Sequence, residues 1–224
     1  MPLSSVVGAQ SIVKPGVCTS STRPASPYDG QVIYETDTDK TLVYNGTGWV
    51  YLSTSRANPN GLDFISSTPI TAANSVSVNN CFTSTYENYR IMFSPSSHST
   101  TAQILLRLRL SGTDSSTNYM TERAGGQGSG AFANQDVYGT TAMTIGYMAT
   151  TNGTPALTTD LYSPAVARPT VALGITGFAD TTNGHSVMNW WNSHTLSNAY
   201  DGFTIYAGSS ATMTGNIYLY GYAK

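Results

Sequence analysis

Three acidic residues alternate at Glu35, Asp37 and Asp39. Their spacing could offer oxygens to calcium, but the turn glycine and closing glutamate of an EF-hand loop are missing. Asp and Thr are ordinary hairpin residues, so the segment reads as a structural turn. The run Gly125, Gly126, Gln127, Gly128, Ser129, Gly130 has the glycine content of a phosphate cradle. No Lys-Ser or Lys-Thr follows it and no helix opens there, so charge and dipole are both missing. A surface loop at a domain tip is the expectation. His98, His185 and His194 sit among Ser, Thr and Asn, with no Cys or carboxylate at ligand spacing and no Gly-x-Ser-x-Gly elbow. A carboxylate pair for glycoside hydrolysis depends on three-dimensional proximity, so that question stays open. The reading is no catalytic residue, no metal and no cofactor.

The aromatic residues point to binding. Trp190 and Trp191 lie between Asn189 and Asn192, and Tyr218, Tyr220 and Tyr222 fall on one face of the last strand. Rings with amide neighbours stack on sugars while the amides bond hydroxyls. In an alternating strand, however, one Trp of the pair should point into the core. The Tyr row could equally line a seam between subunits, where Tyr is favoured. Core or seam is preferred to sugar contact, and all five residues are retained as a candidate trimer or ligand surface.

Charged residues make up 10% of the 224-residue chain, against roughly 25% in an average soluble protein. Ser, Thr, Asn and Gly take their place, 15 residues are Tyr, and the hydrophobic share of 40% argues for a folded core. The formal net charge is −2, with no basic run, which excludes the clustered positive face that nucleic acid requires. Arg107 and Arg109 come nearest to a cluster, and a local ion pair or inter-subunit contact is expected for them. Cys18 and Cys81 are no disulfide framework; unpaired thiols are expected, with a bridge left open. The start has neither the basic residues nor the apolar stretch of a signal peptide, and no window approaches a membrane span. The expectation is no membrane insertion, and exit from a cell inside a particle.

Residues 1–30 read as an extended arm, because Pro15, Pro24 and Pro27 forbid a continuous helix. Val6, Val7, Ile12 and Val13 give the arm small apolar anchors. Residues 31–52 read as three short strands, Gln31 to Glu35, Thr41 to Asn45 and Gly48 to Leu52. Asn45-Gly46 is a strong turn signal between the last two. Three strands bury little on their own, so this module needs a partner for its apolar face. Residues 53–61 read as a linker.

From residue 62 to the end, short β-rich runs alternate with Gly, Asn, Ser and Pro clusters. Ile104, Leu106, Leu108 and Leu110 share one face while Arg107 and Arg109 lie opposite. Further runs cover Asn88 to Phe93, Ala142 to Met148, Thr170 to Phe178, Ser186 to Trp191, Phe203 to Tyr206 and Gly215 to Tyr222. No amphipathic helix is evident. The fold class is all-β: a small N-terminal three-stranded module plus a C-terminal β-sandwich, jelly-roll-like domain over 62–224.

Residues 30–49 follow the pattern GQ-x-IYETDT-x-x-x-LVYNG-x-x-W behind a Pro-rich lead. This resembles a recurrent element of tailed-bacteriophage fibre and other virion surface proteins. The segments from Phe82 to Phe93, Leu106 to Arg109, Ser111 to Asp114 with Asn118 and Tyr119, and Gly215 to Lys224 resemble the C-terminal domains of phage tail-fibre and minor structural proteins. The resemblance implies a homotrimeric virion protein with an N-terminal attachment part. Ile33, Tyr34, Leu42, Tyr44 and Trp49 become its candidate attachment residues. The expected partners are itself, other virion proteins of tail or capsid, and a host surface glycan as a further ligand. A short tail-fibre-like adhesin without enzyme activity is the leading role. A capsid decoration protein at three-fold positions is the alternative, and a polysaccharide-degrading tail spike stands behind both.

Overall fold

The computed structural model describes residues 15–52, 61–127, 130–131, 135–149, 155–180 and 184–223. The chain divides into two compact units, Met1–Asn58 and Pro59–Lys224. The anchors expected in the arm at Val6, Val7, Ile12 and Val13, and all but Gly61 of the expected linker, lie outside the described residues.

Among the described residues the first unit is a four-stranded sheet, in the order β1 (Gly16–Cys18), β2 (Val32–Glu35), β3 (Lys40–Tyr44), β4 (Trp49–Tyr51). Three of these strands match the expected module. The fourth, β1, corrects the sequence reading, because it comes from the stretch read as arm and pairs parallel to β2. Side chains beyond the β1 register hold it there. Asp37 accepts from the backbone N–H of Ser20 at 2.9 Å and from its hydroxyl, and Arg23 pairs with Glu35. The Gly30 N–H adds a bond to the Tyr44 carbonyl at 2.8 Å. The β3–β4 turn forms because Asn45 Oδ1 accepts from Thr47 N and Gly48 N, mimicking a backbone turn, while Gly46 takes φ +89°.

The second unit is a β-sandwich. Its strands are β5 (Leu62–Ala73), β6 (Ser75–Val78), β7 (Asn88–Phe93), β8 (Ser97–His98), β9 (Ala102–Leu110), β10 (Thr113–Asp114), β11 (Tyr119–Gln127) and β12 (Gly130–Ala131). They continue with β13 (Gln135–Thr140), β14 (Met143–Met148), β15 (Ala156–Tyr162), β16 (Thr170–Asp180), β17 (Gly184–His194), β18 (Gly202–Ala207) and β19 (Met213–Tyr222). Among the described residues the smaller sheet has five strands, β10-β9-β18-β6 with β14 also on β9. The larger has ten, β12-β11-β17-β16-β15-β7-β19-β5, with β13 on β11 and β8 on β19. Among the described residues every pairing within this unit is antiparallel.

The core lies between the sheets. Ile104, Leu106 and Leu108 of β9 are fully buried, as their alternation predicts, and meet Phe203, Ile91, Phe93 and Leu219. Each such side chain stabilises the fold by about 1.5–3 kcal/mol. Their neighbours on the outer side of the smaller sheet are Gln103, Leu105, Arg107 and Arg109. Arg109 pairs with Asp114 and bonds Ser77 and Thr204, and Arg107 donates to the Thr141 carbonyl while lying over the Tyr206 ring.

The described part of the glycine run lies in strands β11 and β12. Gly125, Gly126 and Gln127 pair with Met188, Val187 and Ser186, and Gln127 also pairs with Gly130. Gly128 and Ser129 lie outside the described residues.

Candidate interaction surfaces

In the first unit the apolar residues divide between the two sides of the sheet. Ile33 and Leu42, expected as attachment residues, are 1% and 2% exposed; they form the interior of the module and cannot present a docking surface. Glu35 is buried on the same side, where Arg23 and Thr38 hold its carboxyl below the usual carboxylate range. Asp37 is likewise lowered, chiefly by the Ser20 hydroxyl, and Asp39 accepts from the Tyr34 hydroxyl. Each member of the alternating acidic trio therefore has its own structural partner, and no group of metal-ligating side chains forms among the described residues. Tyr44 and Trp49 pack edge to face at 5.5 Å and are half-buried.

The other side of this sheet carries Val17, Val32, Tyr34, Val43 and Val50, as the strand registers place them. Val17 is 69% exposed, Val50 is exposed, and Leu52 just beyond β4 is 57% exposed. Val17, Val50 and Leu52 have no counterpart among the candidates named from sequence.

In the second unit Trp190 and Trp191 part company, as strand alternation requires. Trp190 is 1% exposed and its indole N–H donates to Thr176 Oγ1 at 3.1 Å. Trp191 points outward and is 41% exposed. Tyr218 is exposed, and Tyr220 and Tyr222 are half-buried, on the same outer face of the larger sheet.

The registers align rows across that face. One runs Trp191, Leu173, Asp160, Arg90, Tyr220, Phe64; the next runs Asn189, Ile175, Thr158, Met92, Tyr218. Val171, Tyr162 and Val187 extend the patch on either side. Two shallow depressions flank Ile175. One, of about 260 Å³, lies between Trp191, Asn189 and the Arg90–Asp160 pair. The other, of about 210 Å³, lies between Met92, Ala156 and Tyr218.

Sequence reading missed the aliphatic half of this surface because β16 is inverted. Val171, Leu173 and Ile175 face out, while Ala172, Gly174 and Thr176 face in. There is no room for anything larger inside: a Cβ on Gly174 would lie 2.7 Å from Thr159 Oγ1, and Thr176 donates to the Ile145 carbonyl. The alternation of large and small residues in Thr170 to Phe178 was the available signal, but it does not say which side is core.

His98 and His194 are engaged structurally, and His185 is exposed on β17. His98 Nε2 lies 2.8 Å from the Ala149 carbonyl. His194 is fully buried, stacked on Tyr119, with Nδ1 against the Asn118 carbonyl and Nε2 against the Tyr200 and Ser115 hydroxyls. Cys18 and Cys81 are free thiols, and burial pushes Cys81 up to about 12, far from a reactive thiolate. No helix among the described residues is long and apolar enough to cross a membrane. Compared with protein families, with curated proteins and with solved structures, the chain matches none.

Proposed function

We propose that this chain is a non-enzymatic structural protein of a bacteriophage virion. In this reading it is a homotrimeric, short-fibre-like adhesin that attaches through its first unit and presents its second to the host surface. The observation that carries the reading is the division of the first unit. Ile33 and Leu42 close its interior, yet Val17, Val50 and Leu52 remain uncovered on a unit too small to leave them so without a partner. The resemblance of residues 30–49 to phage fibre modules agrees with that division, as does a surface built on hydroxyls and amides in place of charge.

Imaging intact particles with an antibody against the second unit tests the proposal. Label at the tail supports the adhesin. Label at capsid three-fold positions would replace it with the decoration role, and purified particles lacking the protein would overturn both.

A further inference from the structure

The outer face of the larger sheet is unlike that of the smaller one. Where β9 shows Gln103, Arg107 and Arg109 around a half-buried Leu105, the strands from β17 to β5 show Trp191, Leu173, Ile175, Met92, Tyr218 and Phe64. Six strands at about 4.8 Å spacing and six residues at about 3.4 Å rise give a patch of roughly 24 by 20 Å, or about 500 Å² in projection. Side-chain relief raises that toward the roughly 800 Å² that each partner of a stable complex buries. It also lies near the upper end of the patches that monomers leave open, about 300–600 Å².

We propose that this face is where copies of the chain meet, the same face of each copy turned toward the three-fold axis and lining the seam with its two neighbours. The inference deepens the self-association within the proposed function and rests on it. Two properties select the occupant. The first is charge. Arg90 and Asp160 stand in the middle of the patch and neutralise each other through two hydrogen bonds of 2.7 Å, and no lysine stands on any of these strands. A neutral, apolar surface is the complement, and the same face of a second copy supplies one without setting like charges against each other. The second is composition. Trp, Tyr, Phe, Met and Arg are the types enriched in protein interfaces. Val171, Leu173, Ile175 and Val187 offer nothing to the hydroxyls of a sugar, which disfavours a glycan as the main occupant. The two depressions beside Ile175 give a neighbour's side chains somewhere to seat, and the polar residues Glu122, Ser193 and Ser67 edge the patch as a rim.

The test is sedentation-free mass measurement by light scattering on full-length protein, comparing wild type with Ile175→Asp and with Gln103→Glu on the other sheet. Wild type and Gln103→Glu should associate alike. Ile175→Asp should weaken association by at least about 100-fold, since it buries a lone carboxylate at the contact, while keeping the far-ultraviolet spectrum. A wild type that stays monomeric, or an Ile175→Asp protein that associates normally, overturns the inference. Should Ile175→Asp not fold, oxidative labelling of wild type decides the matter. Trp191 should be protected at high concentration and labelled on dilution, and labelling independent of concentration overturns the inference. Normal association of Ile175→Asp overturns this interface and leaves the homotrimer standing, a monomeric wild type overturns both, and the virion role is judged separately by location on particles.

Discussion

Arg90 and Asp160 stand opposite each other on β7 and β15 and close two parallel hydrogen bonds, Nε to Oδ1 and Nη2 to Oδ2, both 2.7 Å. The guanidinium also lies 5.5 Å from the centre of the Tyr222 ring. The carboxylate raises the Arg90 pKa still further, and burial together with the Asp160 hydrogen bond pushes Tyr222 up to about 12. A planar, bidentate pair of this kind lets two charges sit among Leu173, Met92 and Tyr220 with little net field.

Removing one partner should therefore be worse than removing both. Asp160→Leu leaves a guanidinium unmatched and should destabilise the second unit by about 1–2 kcal/mol, a value reduced for partial exposure of the pair. The double variant Arg90→Met/Asp160→Leu should cost less than either single change. Urea unfolding of the four proteins in the cycle measures this. Additive losses would mean that the pair is not coupled.

The two tryptophans should separate folding from association. Trp190→Ala empties a closed site and removes the bond to Thr176, so a loss of about 3–5 kcal/mol is expected. Trp191→Ala removes an exposed ring and should lower intrinsic stability by less than about 1 kcal/mol. Its larger effect should appear in the concentration dependence of the mass. Denaturant midpoints recorded at low protein concentration, beside light scattering, distinguish the two.

His194 gives the second unit a pH dependence of known sign. Burial lowers its pKa below the ordinary 6.5, so the folded state holds the neutral ring while the unfolded chain takes up a proton. Stability contributed by the neutral ring is complete above pH 6.5. It declines as pH falls from there toward the lowered folded value. Thermal midpoints between about pH 7.5 and 5 should fall for wild type and stay flatter for His194→Gln. A parallel decline in both proteins would remove His194 as the cause.

Much of the fold was legible because period-2 patterning and turn chemistry are local. Ile104, Leu106 and Leu108 against Arg107 and Arg109 define a sandwich strand with no outside information, and Asn45-Gly46 defines a turn. What was not legible depends on distant neighbours. Gly16 to Cys18 is too short and plain to signal a strand, and becomes one only because Ile33, Tyr34 and Glu35 present a free edge. Gly125 to Gln127 resembles a loop until β17 pairs with it. Among the candidate residues, Trp190 and Trp191 were separable by alternation alone. The outward turn of Val171, Leu173 and Ile175 was not, because the packing of Gly174 against Thr159 sets it.

The first unit should have an acid transition of its own. Glu35 is lowered first by its bond from Arg23 and then by that from Thr38, and Asp37 is lowered by Ser20. A carboxyl lowered in the folded state stabilises the fold above its unfolded pKa, near 4.5 for Glu35, and that contribution disappears as pH falls through the folded value. The β1 strand and the bonds from Ser20 and Arg23 should therefore loosen on acidification below about pH 4.5. The His194 contribution to the second unit begins to decline higher, as pH falls below 6.5. Arg23→Ala should bring the same loosening at neutral pH, leaving β9 and β18 untouched. Hydrogen exchange read segment by segment checks it. Faster exchange at Ile33, Tyr34 and Glu35 in Arg23→Ala, with Leu106 and Ile205 unchanged, is the expected result. Unchanged exchange in β2 would mean that the pairing of Arg23 with Glu35 does not hold residues 15–30 to the module.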